Sequence, residues 1–539
     1  MSPPPAADAA TAVPPEPVTH REILVVYLGF MVVMGLAALD QSIVATALPR
    51  IVAQLGGAEH LSWIVTAYVL TSTATMPLYG KLSDLYGRKP LVYVSIIIFL
   101  VGSALSGLSQ SMLQLIIFRA IQGIGAGGLM PLSQITISDL VPPRERGRYQ
   151  GAIPVVFAVC SVAGPIIGGV ITDLLSWHWI FYINLPLGLI GLFIIGVALR
   201  RPQRTVRRAI DYAGAALLAG ATTALLLVMT LGGTQYPWTS PEMLGLEGAT
   251  VLLTGLFILR EQVAPEPMLP LLLFRNRTFV LGCTVLSLMF VGMQGASVFY
   301  PLFFQVVMGV APSDSGVLIA PLTVGLVIST RLNGKFLLAT GRYKPPQLLG
   351  TGLGTIAFAT LTWGAASGYG LWVIEPALFM VGVGMGLVMP NMTIAVQNAV
   401  DYAHMGVATA TMSFFRSLGA VIGVAGSGAI MNARLESLVA SSGLPHTVDP
   451  HTLLEGGVQA VNALGPGMHD LVISLYRQAL SWSFSGGIFT AAIGFGLIML
   501  IPEIELRSGT PSSPGGTTPP PPAPPTGRRE REPVPQPAE

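Results

Sequence analysis

The 539 residues are 52% hydrophobic and only 10% charged, with a mean hydropathy of +0.67. A soluble multidomain protein carries more charge than this, so the composition indicates a polytopic membrane protein. The net charge of +2 favours no nucleic-acid partner, because the basic residues lie in short segments and form no patch. Cys160 and Cys283 both fall inside apolar runs, so we predict neither a disulfide nor a metal site.

The two ends of the chain have the composition of disordered tails. Residues 1–20 are rich in Pro and Ala, and residues 506–539 combine a run of prolines with a charged cluster. Neither segment contains an apolar run that could pack, so we predict disorder for both. A proline-rich tail can also be a docking ligand, but a solvated tail is favoured here.

Apolar runs of about 20 residues, the length that crosses a bilayer, recur between the tails. They predict fourteen membrane spans, of which the eighth is the weakest. The predicted spans cover residues 23–48, 59–79, 90–108, 112–137, 149–171, 178–199, 210–232, 244–260, 278–303, 313–333, 346–366, 370–396, 406–432 and 480–501.

The basic residues between the spans predict the orientation in the membrane. With both termini in the cytoplasm, alternate loops place most lysines and arginines inside, as the positive-inside rule requires. Arg50, Arg434 and Arg477 are the exceptions. In this topology the segment 433–479 is an external loop, and its histidines have no metal-ligand spacing.

The most distinctive stretch lies between the second and third spans, at Gly80–Pro90. Its glycines let the backbone reverse and approach a neighbour closely, and Asp84 can accept a hydrogen bond from Arg88 or cap a helix. The stretch resembles the loop between spans two and three of the major facilitator superfamily. The positions that carry the resemblance are Gly80, Asp84, Gly87, Arg88 and Lys89. We hypothesise that Asp84 and Arg88 latch two halves of the protein together on the cytoplasmic side.

The second half of the chain repeats features of the first. The segment 334–342 has the glycine and basic spacing of the segment 80–88, although Leu338 stands where Asp84 stood. Alternating glycines at 123–127 are likewise echoed at 382–386. The distance along the chain between the first and second copies is nearly the same for both features. Each half is therefore predicted to be one copy of a six-span unit.

A six-span unit that occurs in two copies, with two further spans between them, resembles the fourteen-span drug:proton antiporter branch of the same superfamily. The resemblance implies an all-α polytopic membrane protein with the major facilitator fold. The N-terminal bundle would cover residues 21–200, the two inserted helices 201–276 and the C-terminal bundle 277–505.

Asp40 is an acid inside the first predicted span. Such an acid costs about 2.5–3.5 kcal/mol even on the lenient insertion scale, so it is a functional candidate by default. The stretch Leu39–Pro49 resembles the first-span signature of the antiporter branch, in which the Asp is implicated in binding protons or cationic substrates. The alternative is a structural acid that is hydrogen-bonded to Gln41 or Thr46.

Two arginines also fall inside predicted spans. Arg119 is followed by Gln122 and a run of glycines, which resembles the fourth-span pattern of proton antiporters. An arginine stays protonated in practice, so its expected role is to tune the protonation of a nearby acid. The alternative is an arginine that only pins its helix. Arg416 lies in the middle of a span in the second half, where substrate contact and structural pairing are equally good explanations.

The fifth span contains Gly164, Pro165, Gly168 and Gly169. This pattern resembles the signature confined to antiporters, in which the Gly-Pro bend is thought to hinge the helix and limit leak. The usual preceding glycine is replaced by Cys160. Pro and Gly are common in membrane helices, so ordinary packing is the alternative.

The resemblance implies a proton-coupled secondary active exporter of small amphipathic drugs, antibiotics or metabolites across the cytoplasmic membrane. It implies that the protein works as a monomer in the bilayer, is driven by the proton gradient and needs no cofactor. A primary pump is disfavoured because no Walker A pattern occurs, and an enzyme because no paired acid, nucleophile and base, or metal cluster occurs at workable spacing. The alternative is an importer or facilitator of a nutrient or lipid with the same fold.

Overall fold

The structure is a computed structural model that describes residues 20–57, 60–151, 153–199, 210–233, 235–442, 461 and 466–506. The N-terminal tail up to residue 19 and the C-terminal tail from residue 507 lie outside the described residues. So do the basic segment 200–209 and residues 443–460 and 462–465 of the predicted external loop.

The described residues form helices and no strand, and fourteen of the helices are long and apolar enough to cross a membrane. This confirms the predicted number of spans and the all-α class. The helices are α1 (His20–Leu55), α2 (Leu61–Tyr86), α3 (Arg88–Gly107), α4 (Met112–Leu140), α5 (Ile153–Leu174), α6 (Trp179–Ala198), α7 (Tyr212–Leu231), α8 (Pro241–Val263), α9 (Arg277–Val307), α10 (Ala320–Thr340), α11 (Lys344–Ser367), α12 (Leu371–Ala399), α13 (Met405–Ser441) and α14 (Pro466–Met499).

The helices on either side of the predicted external loop are longer than expected. Helix α13 continues to Ser441, and α14 begins at Pro466, so both ends of the segment 433–479 are helical. The buried residues in these extensions recur at helical spacing, as Leu435 and Val439 do in α13. An amphipathic extension has a low average hydropathy, so a search for continuous apolar runs ends too early.

Alternating glycines let α4 in the first half and α12 in the second half pack closely against neighbouring helices. A Cβ added at Gly125 of α4 would lie 2.3 Å from the backbone nitrogen of Phe99 in α3, and one at Gly127 would lie 2.4 Å from the carbonyl oxygen of Ser72 in α2. In the second half, a Cβ at Gly382 of α12 would meet the carbonyl oxygen of a residue in α10 at 1.9 Å. Only glycine permits backbones to approach this closely, so the two runs of glycine have the same packing role.

The inserted helices α7 and α8 pair with each other, and α7 packs against α2 and α13. Asp211 caps the start of α7 by accepting a hydrogen bond from Gly214 N at 3.1 Å, and it pairs with Arg260 of α8. The hydrogen bonds from Arg260 hold the pKa of Asp211 below its usual value. The inserted pair therefore lies against one side of the boundary between the two halves.

Candidate functional site

Asp40 and Arg119 form a buried ion pair between α1 and α4. The distance from Arg119 Nη1 to Asp40 Oδ2 is 2.6 Å, and each residue is only 1% exposed. Gln122 Nε2 donates to the other carboxylate oxygen at 2.8 Å, and Gln122 Oε1 accepts from Arg119 Nη1 at 2.7 Å. The structure thus brings together three residues that the sequence predicted separately.

The rest of this cluster was not predicted. Asn184 Nδ2, at the start of α6, donates to Asp40 Oδ1 and to Ser103 Oγ at 2.8 and 2.9 Å. The Arg119 guanidinium lies 4.3 Å from the centre of the Tyr68 ring, and its Nε donates to a backbone carbonyl of α2. An asparagine inside an apolar run is the signal that could have revealed Asn184, since buried polar side chains require partners.

We call Asp40, Arg119, Gln122 and Asn184 the Asp40 cluster. Its two opposite charges compensate each other. Removing one charge of such a buried pair leaves the other unpaired, which typically costs about 3–5 kcal/mol. A proton on Asp40 would remove the negative charge in this way and leave Arg119 without its partner. The ion pair is therefore maintained only while both residues carry their charges.

Two clefts lie between the halves and share Met130 and Arg416. Each cleft is lined by residues of both halves, and the one that Tyr68 and Phe157 line is the larger. Tyr68 lines the larger cleft and contacts Arg119 of the Asp40 cluster. Asp40 itself lines neither cleft.

Arg416 projects from α13 to the point where the two clefts meet. Its Nη2 lies against the sulfur of Met130, and its guanidinium carbon is 5.6 Å from the centre of the Phe290 ring. Within the described part of the chain, no carboxylate lies within ion-pair distance of it. The sequence left two explanations for Arg416 open, substrate contact and structural pairing. The described residues offer no carboxylate for structural pairing, so substrate contact is favoured.

The halves meet at the side of the protein where α1 begins and α2 ends, which we call the terminal face. Here Asp84 caps the first turn of α13, because its carboxylate accepts from Gly406 N at 3.0 Å and from Val407 N at 2.8 Å. Arg88 Nη1 donates to Asp84 at 2.5 Å, as the sequence predicted, while its Nε donates to Asp139 at 3.0 Å. Asp139 was not predicted.

The other predicted positions of this loop have different roles. A Cβ at Gly80 would lie 2.4 Å from the Cβ of Ala410 and 2.8 Å from the carbonyl oxygen of Gly406, so only glycine permits α2 and α13 to cross this closely. Gly87 has a φ of 88°, which favours glycine. Lys89 Nζ donates to a carbonyl at the end of α6, within the same half, and so does not join the halves.

A second contact between the halves lies nearby at the terminal face. Gln397 Oε1, in the last turns of α12, accepts from Ser138 Oγ at 2.8 Å and from Arg146 Nη1 at 3.3 Å. Arg146 belongs to the short helix Pro143–Gln150 and is fully buried. Together with the Asp84 contact, these bonds close the terminal face in this conformation.

The glycines of α5 divide into two sets. A Cβ at Gly164 would lie 1.9 Å from Ser42 Oγ, and one at Gly168 would lie 2.4 Å from Thr46 Oγ1, so both pack tightly against α1. A Cβ at Gly169 would meet nothing within 4 Å. Two of the three predicted glycines therefore hold α5 against the helix that carries Asp40.

A family model described as Major Facilitator Superfamily matches residues 30–424. The chain belongs to the major facilitator superfamily. The multidrug transporter protein MdtP of Bacillus subtilis (strain 168) is 40% identical over 419 residues, which cover 78% of this chain and 77% of that protein. Efflux pump FUS6 of Gibberella moniliformis (strain M3125 / FGSC 7600) is 32% identical over 533 residues, which cover 94% and 92% of the two chains.

Solved structures show the same fold. The proton:xylose symporter XylE bound to 6-bromo-6-deoxy-D-glucose aligns with a TM-score of 0.60 at 14% identity, over 90% of this chain and 96% of that chain. The human organic anion transporter MFSD10 (TETRAN) aligns with a TM-score of 0.58 at 17% identity, over 89% and 99% of the two chains. The chain is thus a membrane transporter of the superfamily, with the predicted major facilitator fold, and not an enzyme.

Proposed function

We propose that the protein is a proton-coupled exporter of small amphipathic drugs, antibiotics or metabolites, located in the cytoplasmic membrane with both termini inside. The observation that carries this proposal is the Asp40 cluster, a buried ion pair one side chain away from a cleft between the halves. Relatives that are named as a multidrug transporter, a multidrug resistance protein and an efflux pump support the direction of transport.

The coupling follows from the chemistry of that cluster. A proton that reaches Asp40 from outside neutralises the carboxylate and releases Arg119 from its ion pair. The freed guanidinium can then move relative to the Tyr68 ring, which it contacts at 4.3 Å in the paired state and which also lines the larger cleft. Protonation at one place thereby changes the wall of the substrate site at another, without any cofactor.

The terminal face provides the second part of the cycle. With both termini inside, the Asp84 contact with α13 closes the cytoplasmic side, and the clefts face outward. Opening this side requires the loss of two hydrogen bonds to the first turn of α13. Alternating access then consists of the halves rocking about the clefts.

The experiment uses a pump-deficient bacterial host and a panel of chemically diverse toxic compounds. The protein should raise resistance to some of them, and the strongest responder then serves as substrate in proteoliposomes with an imposed pH gradient. Asp40→Asn keeps the shape and most hydrogen bonds of the side chain but cannot titrate. We expect it to abolish uphill transport and substrate-induced proton release.

Glu375→Gln is the matched control, because this acid lies in the first turns of α12 and outside the Asp40 cluster. It should transport as the wild type does. Survival of both uphill transport and proton release in Asp40→Asn would contradict the assignment, and loss of both in Glu375→Gln would move the coupling to that residue.

An importer or facilitator of a nutrient or lipid is the other function compatible with the fold. The direction of transport in inverted membrane vesicles separates the two. An exporter accumulates substrate inside such vesicles when their interior is acidified, whereas a proton-driven importer does not.

A further inference from the structure

We propose that Arg416 is the anchor of an anion site, so that the preferred substrates of the two clefts are amphipathic organic anions. The inference deepens the proposed function, because it treats the clefts as the substrate site. It depends on three observations about charge, hydrogen-bond donors and cleft walls.

The first observation is the balance of charge around the clefts. Asp40 and Arg119 compensate each other in a pair that is 1% exposed, and neither residue lines a cleft. Arg416 lines both clefts and is the one charged residue among the described residues that line them. The substrate space therefore carries a net positive charge in a region of low dielectric, where charge acts strongly.

The second observation is that the N–H donors of Arg416 have no strong acceptor among the residues that the structure describes. A guanidinium carries five N–H donors and matches the two oxygens of a carboxylate or sulfonate. Here one nitrogen lies against the sulfur of Met130, which is only a weak acceptor, and the ring of Phe290 lies to one side. A charged residue inside a membrane is costly, so an arginine without a carboxylate partner indicates a ligand that supplies the counter-charge.

The third observation is the apolar surface beside the charge. The larger cleft includes Phe157, Tyr68 and Leu129, and the smaller one includes Leu286 and several methionines. Aromatic and methionine side chains accept apolar bodies of varied shape. The combination fits a molecule that has one anionic group and an aromatic or aliphatic body.

The test compares three probes that share one body and differ in charge: 2-naphthylacetate, 2-naphthylacetamide and 2-(2-naphthyl)ethylammonium. Binding is measured by calorimetry at neutral pH on the full-length protein in phosphatidylcholine nanodiscs, with empty nanodiscs as the blank. The wild type should bind the carboxylate at least about tenfold more tightly than the amide, which corresponds to about 1.4 kcal/mol, and the ammonium more weakly still.

Two variants of Arg416 and one control identify the cause. Arg416→Gln should bind the carboxylate and the amide equally, while Arg416→Lys, which keeps the charge, should retain part of the preference. Arg434→Gln is the matched control, because Arg434 lies on the same helix but is exposed and stacks on Trp482, 4.1 Å from the ring centre. It should keep the wild-type preference.

The proposal is overturned by equal binding of all three probes by the wild type, by an undiminished preference in Arg416→Gln, or by an equal loss in Arg434→Gln. Loss of carboxylate binding when phosphatidylglycerol replaces part of the phosphatidylcholine would assign the site to a lipid headgroup and also overturn it. Uphill transport of an uncharged compound without any anion preference would refute this inference but leave the proposed export function intact. Failure of every compound to move would instead refute the export function.

Discussion

The contact between Asp84 and α13 makes a quantitative prediction about the closed terminal face. In Asp84→Asn, the negative charge at the start of α13 is lost, and the amide oxygen replaces only one of two acceptors for Gly406 N and Val407 N. The interaction of a partly buried anion with a helix N-terminus contributes up to about 2 kcal/mol, and an unsatisfied buried donor costs about 1 kcal/mol or more. Arg88 keeps its bond to Asp139, so its charge remains paired.

We therefore expect the substitution to favour the open terminal face by about 2 kcal/mol, or about 30-fold in the ratio of open to closed protein. The reporter is a cysteine at Thr330, a fully buried residue in α10 that faces Gly151 of the other half, in a background without native cysteines. A small water-soluble maleimide reacts with this cysteine only when the face opens. The labelling rate should rise in proportion to the open population.

Asp401→Asn is the control, because Asp401 is exposed, lies just before α13 and makes no side-chain cap. This variant loses a negative charge near the same end of α13 but keeps the contact between Asp84 and α13. Because an exposed charge contributes little, its labelling rate should stay within about twofold of the wild-type rate. An unchanged rate in Asp84→Asn would refute the reasoning. An equal rise in both variants would mean that general charge, and not the cap, holds the face closed.

Three further predictions concern other parts of the molecule. A cysteine at Asp470, which is exposed at the start of α14, should react with an impermeant thiol reagent outside whole cells, whereas one at Glu503 should not; the reverse pattern would invert the proposed orientation. Gly164→Ala should abolish transport because its methyl group meets α1 at 1.9 Å, while Gly169→Ala should be tolerated, and equal activity of the two in a transport assay would contradict a packing role. Tyr343→Phe should loosen the chain after α14 by about 1 kcal/mol, seen as faster proteolysis there, because the Tyr343 hydroxyl bonds to Pro502 O and Ile504 N; an unchanged cleavage rate would count against it.

Several features of the site could be predicted from local sequence. The loop between α2 and α3 was predicted from the spacing of its glycines and charges, and so was the bond between Asp84 and Arg88, which are only four residues apart on either side of the turn at Gly87. The unusual position of Asp40, Arg119 and Arg416 within apolar runs was equally visible, because the cost of burying a charge depends on the run around it.

The partners of these residues could not be predicted in the same way. Asn184 is 144 residues from Asp40, and Gly406 is 322 residues from Asp84. Such contacts arise from the packing of helices that are remote in the chain, and a backbone N–H that receives a cap has no side-chain signature. Gly164 and Gly169 have identical side chains, yet only the neighbouring helix α1 determines which one is constrained.

The sequence by itself thus determined the class of the protein, the number of membrane helices, the two repeated halves and the residues that carry unusual charge, because hydrophobicity, length and spacing act along a single segment. Tertiary structure alone decided that Asp40 and Arg119 neutralise each other and that Arg416 faces a cleft in which no other described residue carries a charge. The physical reason is that the pairing of charges depends on distances of a few ångströms between helices, whereas the cost that makes each charge conspicuous is set by its own helix.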